Sequence, residues 1–392
     1  MDHTVLLCRL GSLSAFHELY EEPIFRLAFS LIKALDRKDA IAALTAWGQF
    51  LSRLDEAGFD SPGAWLSDRL RYSDAPWPRS VAEDRPVPAL EERARRDIET
   101  LTALASLDPL PLIEALDLPA EVGLSGWAPK VPFTFEELRE HYKAHGCGPF
   151  ARHRAFLWEE GRLLPVTGPD VPSQQQLIGY RRQRLQVEEN TRSLLSGRRV
   201  NNVLLFGDSG TGKSATVKSL LALPDTEDLR LIEIEKGSVA QLPRLIRSLG
   251  TRRQKFILFI DDLAFDQDDM TYSVLKTILE GGLEPRPDNV AIYATSNRRN
   301  LVRQTFSSRA GDEVDREETI QEKTALADRF GLRIPYLGLA MAEYLELVER
   351  LAAQAGLTLS KESLTAQAIR WDARHPGRSP RTAQQLIASL AE

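Results

Sequence analysis

The sequence predicts an α/β chain: a doubly wound parallel sheet of five strands, with a mostly α-helical region in front and an all-helical tail behind. Three observations carry that prediction. From Gln176 onward, short apolar runs alternate with helical patterns, which is how βαβ units read in sequence. The run Phe256-Ile257-Leu258-Phe259-Ile260 is apolar throughout, as a strand covered on both faces must be. The apolar run 202–206 leads at once into Gly207-Asp208-Ser209-Gly210-Thr211-Gly212-Lys213-Ser214 and then into Ala215 and a helical pattern, so that a strand, a glycine loop and a helix follow one another.

Taken in order, the front of the chain reads as helices over 19–35 and 40–54, where apolar residues recur at three- and four-residue spacing. Ser61-Pro62-Gly63 breaks the pattern and can start a short helix through Leu70. Residues 73–88 hold four prolines and little periodicity, which reads as a loop or linker. Helices are expected over 89–107 and 110–116. A small unit begins near Trp127, with a capping box at Thr134-Phe135-Glu136-Glu137 opening a helix that Gly146 ends. The stretch 168–173, rich in Pro and Gly, reads as a linker. Strands are then expected at 203–206, 229–233, 256–261, 290–296 and 332–336. Helices fit between them at 181–196, 213–223, 238–249, 270–279 and 319–327, and only helical patterns follow, at 341–355, 360–371 and 380–390.

Composition bounds the function classes. The chain has 392 residues, 43% of them hydrophobic and 27% charged, which is ordinary for a globular protein of two or three domains. No run approaches the roughly 18 apolar residues of a membrane helix, and the N-terminus lacks a basic signal region, so a cytoplasmic protein without a membrane partner is expected. Two cysteines far apart give no disulfide framework. Residues 1–170 carry about 19 basic and 27 acidic groups, which argues against a nucleic-acid clamp there. Four potential metal ligands, His141, His145, Cys147 and His153, lie within 13 residues, but their spacing matches no common zinc pattern and packed or surface histidines are the plainer reading.

The glycine loop carries the chemistry. Its glycines let the backbone curl into a nest of N–H groups aimed at phosphate oxygens, and the following helix adds its positive end. Lys213 can reach the outer phosphates, and the Ser214 hydroxyl suits the Mg²⁺ that accompanies them. The loop therefore implies a nucleoside triphosphate, with ATP and Mg²⁺ expected. The strand 256–260 ends in Asp261-Asp262, at the sheet edge where open α/β folds bind ligands. Asp261 is placed to hold Mg²⁺ and Asp262 to orient or deprotonate the attacking water. The strand 290–296 likewise ends in Asn297, which is either a turn former or a group facing the γ-phosphate.

These motifs, with an all-helical tail, resemble the AAA+ ATPases; the run from Leu177 to Leu332 resembles a bacterial AAA+ family of unassigned function. The resemblance covers roughly residues 125–392 and implies further roles. Leu177, Ile178 and Gly179 match the segment lining the adenine pocket, and Asn297 matches the sensor 1 asparagine. Asp328-Arg329-Phe330-Gly331 is similar to a segment of the Holliday-junction branch-migration motor, which makes Arg329 the candidate arginine finger, with a surface ion pair as its structural alternative. Gly377-Arg378-Ser379-Pro380-Arg381 is similar to that motor's sensor 2 segment, with Arg381 preferred over Arg378 because it follows Pro380 in the first helical turn. The domains expected on this basis are a helical N-terminal domain (1–122), a small helical unit and linker (123–173), an AAA+ nucleotide-binding domain (174–336) and a helical lid (337–392).

One departure stands out: most AAA+ motors end the second Walker strand with Asp-Glu, whereas here it is Asp-Asp. The loop 235–240 has no aromatic residue of the kind that threading motors carry, and about 11 residues follow Arg381, so an initiator-type DNA-binding domain is not expected. Three functions remain. The first is an ATP-hydrolysing homo-oligomer, a hexamer foremost, in which Arg329 completes a neighbour's site and the N-terminal helices recruit a protein partner. The second is a nucleic-acid loader or motor using Arg298, Arg299 and Arg303. The third is a nucleotide-gated scaffold with little turnover. Arg181, Arg182 and Arg184 read as solvated or ion-paired.

Overall fold

The burial of each strand follows its place in the sheet. In the computed structural model, which describes residues 3–106, 133–263, 270–280, 285–297, 326–375 and 377–391, seven strands are introduced in chain order: β1 (Ala155–Glu159), β2 (Arg162–Pro165), β3 (Val203–Gly207), β4 (Leu229–Ile234), β5 (Lys255–Ile260), β6 (Val290–Ser296) and β7 (Leu332–Tyr336). They form one sheet in the order β2-β1-β4-β5-β6-β3-β7. All neighbours are parallel except β1 and β2, a hairpin. At the centre, Phe256–Ile260 of β5 are fully buried and every residue of β6 is buried, because helices cover both faces. At the edges, β7 alternates and β2 is largely exposed.

The sheet thus has seven strands rather than the five expected, and the difference lies in residues 155–165. Phe156, Leu157 and Trp158 of β1 pair in parallel with Ile232, Glu233 and Ile234 of β4, covering an edge that would otherwise be open. The stretch expected as one small unit is therefore shared out. Its helix Phe135–His145, opened by the capping box of Thr134 and Glu137, packs into the core of the N-terminal helices, and its hairpin joins the sheet. The chain divides into two compact units, Met1–Arg152 and His153–Glu392.

In the first unit the helices Pro23–Asp36, Ala40–Glu56, Pro62–Arg71, Pro76–Ala82 and Pro88–Ala105 bury one apolar face each. Residues 73–88 are not all loop, since Pro76–Ala82 is a helix. Pro76 and Pro88 each sit in the first turn of a helix, where the missing N–H costs nothing. Trp77 is the centre of the core, stacked on Phe135 at 4.9 Å and met edge-on by Phe16 and Tyr142. The expected helix 110–116 lies outside the described residues.

In the second unit, the helix after the glycine loop runs from Lys213 to Lys218 and then tightens to a 3₁₀ turn, Ser219–Ala222. Three C-terminal helices, Met341–Gln354, Lys361–Arg374 and Pro380–Ala391, close a small core of their own around Tyr344, Leu347, Val348 and Leu386. Tyr180 packs against both this core and that of the sheet. Most of the expected helix 319–327 lies outside the described residues.

Candidate functional site

The site grows from the way β3 ends. Gly207 has φ +134°, and a Cβ there would stand 2.2 Å from the carbonyl oxygen of Tyr336 on β7, so only glycine lets the two strands end side by side. The Asp208 N–H then donates to that same carbonyl at 2.9 Å. Beyond it the loop turns through Gly210 and Gly212, at φ +75° and +89°. The Arg381 N–H donates to the Gly210 carbonyl at 3.3 Å, and a Cβ on Gly210 would meet the Arg381 Cβ at 2.9 Å, so the loop packs directly on the start of the last helix.

Lys213 is buried and its ammonium donates to the carbonyls of Gly207 and Asp208, at 3.1 and 2.6 Å. Burial pushes its pKa down, Asp208, Asp261 and Asp262 pull it back up, and Arg381 lowers it further. No ion pair joins it to a carboxylate among the described residues, so a cation is held by carbonyl dipoles at the floor of an open cleft. That is a fit for an anionic ligand.

Opposite it, β5 and β6 deliver the acids. Asp261 Oδ1 accepts from Ser214 Oγ at 2.6 Å, from Thr295 Oγ1 at 2.5 Å and from the Asp262 N–H at 3.1 Å. Thr295 Oγ1 accepts in turn from the Asp262 N–H at 2.9 Å. Asp262 itself adopts φ +49°, a left-handed conformation that aspartate tolerates better than most residues. Its Oδ1 accepts from Asn297 Nδ2 at 2.9 Å and its Oδ2 lies 3.4 Å from Lys236 Nζ.

All of this lines one cleft of about 450 Å³. Of the residues singled out from sequence, Leu177, Ile178, Gly179, Ser209 to Ala215, Asp261, Asp262, Asn297 and Arg381 lie on its wall. Asp208 does not line it: its Oδ2 accepts from the Gly338 N–H at 2.6 Å, beside the start of the C-terminal helices. Arg378 is also elsewhere, 3.8 Å from Asp372. Arg329 precedes β7, at the sheet edge opposite the glycine loop, and pairs with Glu280. Its Nε is buried without a partner.

Several wall residues have no signal in the sequence pattern. Thr295 is brought to the wall by strand order, since β6 flanks β5, and Lys236, which follows β4 on the other side of β5, reaches Asp262 from outside the wall. Tyr180 stacks on Tyr336 at 4.9 Å and donates from its hydroxyl to the Leu337 carbonyl at 2.6 Å, and burial pushes the Tyr336 pKa up to about 12. Arg184 also lines the cleft rather than standing in solvent. Arg298, Arg299 and Arg303 lie outside the described residues.

The suspected metal cluster does not assemble. His141 and His145 are neighbours, ring centres 5.0 Å apart, but Cys147 is buried with Sγ 3.6 Å from Asp74 and His153 lies against Phe156. No group of three or more metal-binding side chains forms among the described residues. No helix among them is long and apolar enough to cross a membrane.

A parallel sheet with a glycine loop at the end of β3, acids at the end of β5 and a helical bundle packed on the loop defines a fold of the P-loop, AAA+ type. The chain belongs to the family described as "Protein of unknown function (DUF815)", whose model matches residues 151–392. No curated protein matches it. Among solved structures, the RuvB Holliday junction branch migration motor of Thermotoga maritima and one of its point mutants are 16% identical, at a TM-score of 0.38. A second mutant of that motor scores 0.37. Each match covers 55% of this chain and 63% of the motor, so this chain spans less than two thirds of that protein's length. At that overlap the likeness supports no inference about activity.

Proposed function

We propose that this chain binds and hydrolyses ATP with Mg²⁺, works as a homo-oligomeric ring and acts on a protein partner recruited by its N-terminal helices. The single observation that supports hydrolysis is the convergence of Lys213, Ser214, Asp261, Asp262 and Asn297 on one cleft.

Lys213 leaves its two loop carbonyls for the outer phosphates, while the loop N–H groups hold the remaining phosphate oxygens. Ser214 and Asp261 are hard oxygen ligands, too few to cage a metal alone and suited to Mg²⁺ shared with phosphates. Mg²⁺, when held there, would supply positive charge to offset that of the phosphates. Asp262 takes a proton from the attacking water as its oxygen bonds to the γ-phosphorus and the bond to the ADP oxygen breaks. Asn297 fixes the orientation of Asp262, and Arg381, from the last helix, offsets charge on the γ-phosphate.

A second reading, the nucleotide-gated scaffold, rests on the engagement of both Asp262 oxygens by Asn297 and Lys236. Asp262→Asn separates the two, with Lys213→Ala as the control for the binding that both require. Lys213→Ala is expected to weaken ATP binding by roughly 100-fold or more, since it removes a buried charge-assisted contact. Asp262→Asn is expected to keep ATP binding and lower turnover by about 100-fold. Wild-type protein that binds ATP and never releases phosphate overturns the hydrolytic reading.

A further inference from the structure

Asp208 puts a carboxylate in a loop suited to anions, and among the described residues no lysine or arginine pairs with that carboxylate. Its main chain is committed to the site: the N–H donates to the Tyr336 carbonyl at 2.9 Å, and the carbonyl accepts from Lys213 Nζ at 2.6 Å. A carboxylate facing the cleft would repel a polyphosphate. The side chain is turned away instead, and its Oδ2 accepts from the Gly338 N–H at 2.6 Å.

That bond begins a closed circuit. Gly338 lies between β7 and the helix Met341–Gln354, where the sheet passes into the three C-terminal helices. The next residue, Leu339, donates its N–H to the Arg378 carbonyl at 2.9 Å, so the junction also fixes the segment that opens the last helix. Buried Ser379 caps that helix, its Oγ accepting from the Thr382 N–H at 3.3 Å. Arg381 then returns to the glycine loop through its N–H on the Gly210 carbonyl, at 3.3 Å. Two residues of one loop, Asp208 and Gly210, thus hold both ends of the helical group. The bonds from Leu339 and from Arg381 join main chain to main chain, so Asp208 makes the link of this circuit that a side chain decides.

Resting on the nucleotide-binding reading above, we propose that Asp208 is a positioning residue: it anchors the start of the C-terminal helices so that Arg381 stands over the γ-phosphate, and thereby gives the site a preference for ATP over ADP. The role needs an acceptor at that reach and not the charge, so asparagine can fill it.

The test is equilibrium binding, with Mg²⁺, of ADP and of the slowly hydrolysed β,γ-imido analogue of ATP. The proteins are full-length wild type, Asp208→Ala, Asp208→Asn, Arg381→Ala and the double variant Asp208→Ala with Arg381→Ala. Wild type is expected to bind the triphosphate about tenfold more tightly than the diphosphate. Asp208→Ala brings the two within about twofold by weakening the triphosphate alone, and its unchanged ADP affinity shows that the loop is still folded. Asp208→Asn keeps most of the preference. The double variant binds the triphosphate no more weakly than Arg381→Ala does, because a residue that works through Arg381 has nothing left to place. Equal affinities in wild type, an undiminished preference in Asp208→Ala, equal losses in Asp208→Asn and Asp208→Ala, or losses that multiply in the double variant each overturn the assignment. Wild type that binds neither nucleotide overturns the nucleotide-binding reading with it, whereas a triphosphate preference that survives without Asp208 overturns the assignment alone.

Discussion

Three main-chain N–H groups, of Ser14, Ala15 and Phe16, converge on one carboxylate oxygen of the buried Asp97, at 2.9, 2.7 and 3.4 Å. The turn they belong to opens the 3₁₀ helix His17–Glu21, and a single side chain more than 80 residues away satisfies its free donors. Asp97→Ala leaves those donors buried and unpaired. It is expected to destabilise the first unit by roughly 3 kcal/mol, read as a lowered midpoint in urea unfolding, with Asp97→Asn losing less. Nothing in the helical spacing of residues 89–107 distinguishes Asp97 from a solvated charge. The same holds for Thr295, whose hydroxyl links Asp261 to the Asp262 main chain. Lys213 and Ser214, by contrast, were legible, because their chemistry depends on a local loop that eight consecutive residues define.

At the level of elements, legibility tracks burial. Strand β5 is apolar from Phe256 to Ile260 since helices cover both its faces, and such a run has few other readings. Strands β1 and β2 are short and lie at or near the sheet edge, where Arg162 and Pro165 are tolerated, and no alternation survives in them. Helix Pro76–Ala82 hid behind prolines that mark its first turn instead of breaking it. The junction of β3 with β7 gives a sharper test. Gly207→Ala must place a methyl 2.2 Å from the Tyr336 carbonyl oxygen at a φ of +134°. A loss of roughly 3 kcal/mol is expected, and differential scanning should show it in the second unit's transition. Nucleotide affinity should fall with it, because the loop and the β7 strand move together. An unchanged melting profile would show that the strands separate at no cost.

For the whole molecule the question is what one copy lacks. Strand β7 runs parallel to β3 with Tyr336 beside Gly207, so Leu332 starts it about 13 Å back along the strand direction, and Arg329 precedes Leu332 at the far end of its own sheet. If this guanidinium serves a nucleotide at all, it serves one held by another copy. Arg329→Ala is then expected to lower turnover by about 1000-fold while ATP affinity stays the same, and wild-type specific activity should rise with protein concentration. The competing outcome is equally readable. Full activity with a lowered melting temperature assigns Arg329 to its ion pair with Glu280 alone.

The hairpin of β1 and β2 has a consequence for handling the protein in pieces. The family match begins at residue 151 and the second unit at His153, upstream of the hairpin. A chain cut at 174 would leave Leu231, Ile232 and Ile234 with bare backbone donors and acceptors along the rim of β4, a template for other molecules to stack on. Such a fragment should precipitate as it is concentrated, with a rising thioflavin signal, while one cut at 153 should stay dispersed and still take up nucleotide. Eleven residues of hairpin thereby act as a stopper on intermolecular growth, a colloidal role separate from any part in catalysis.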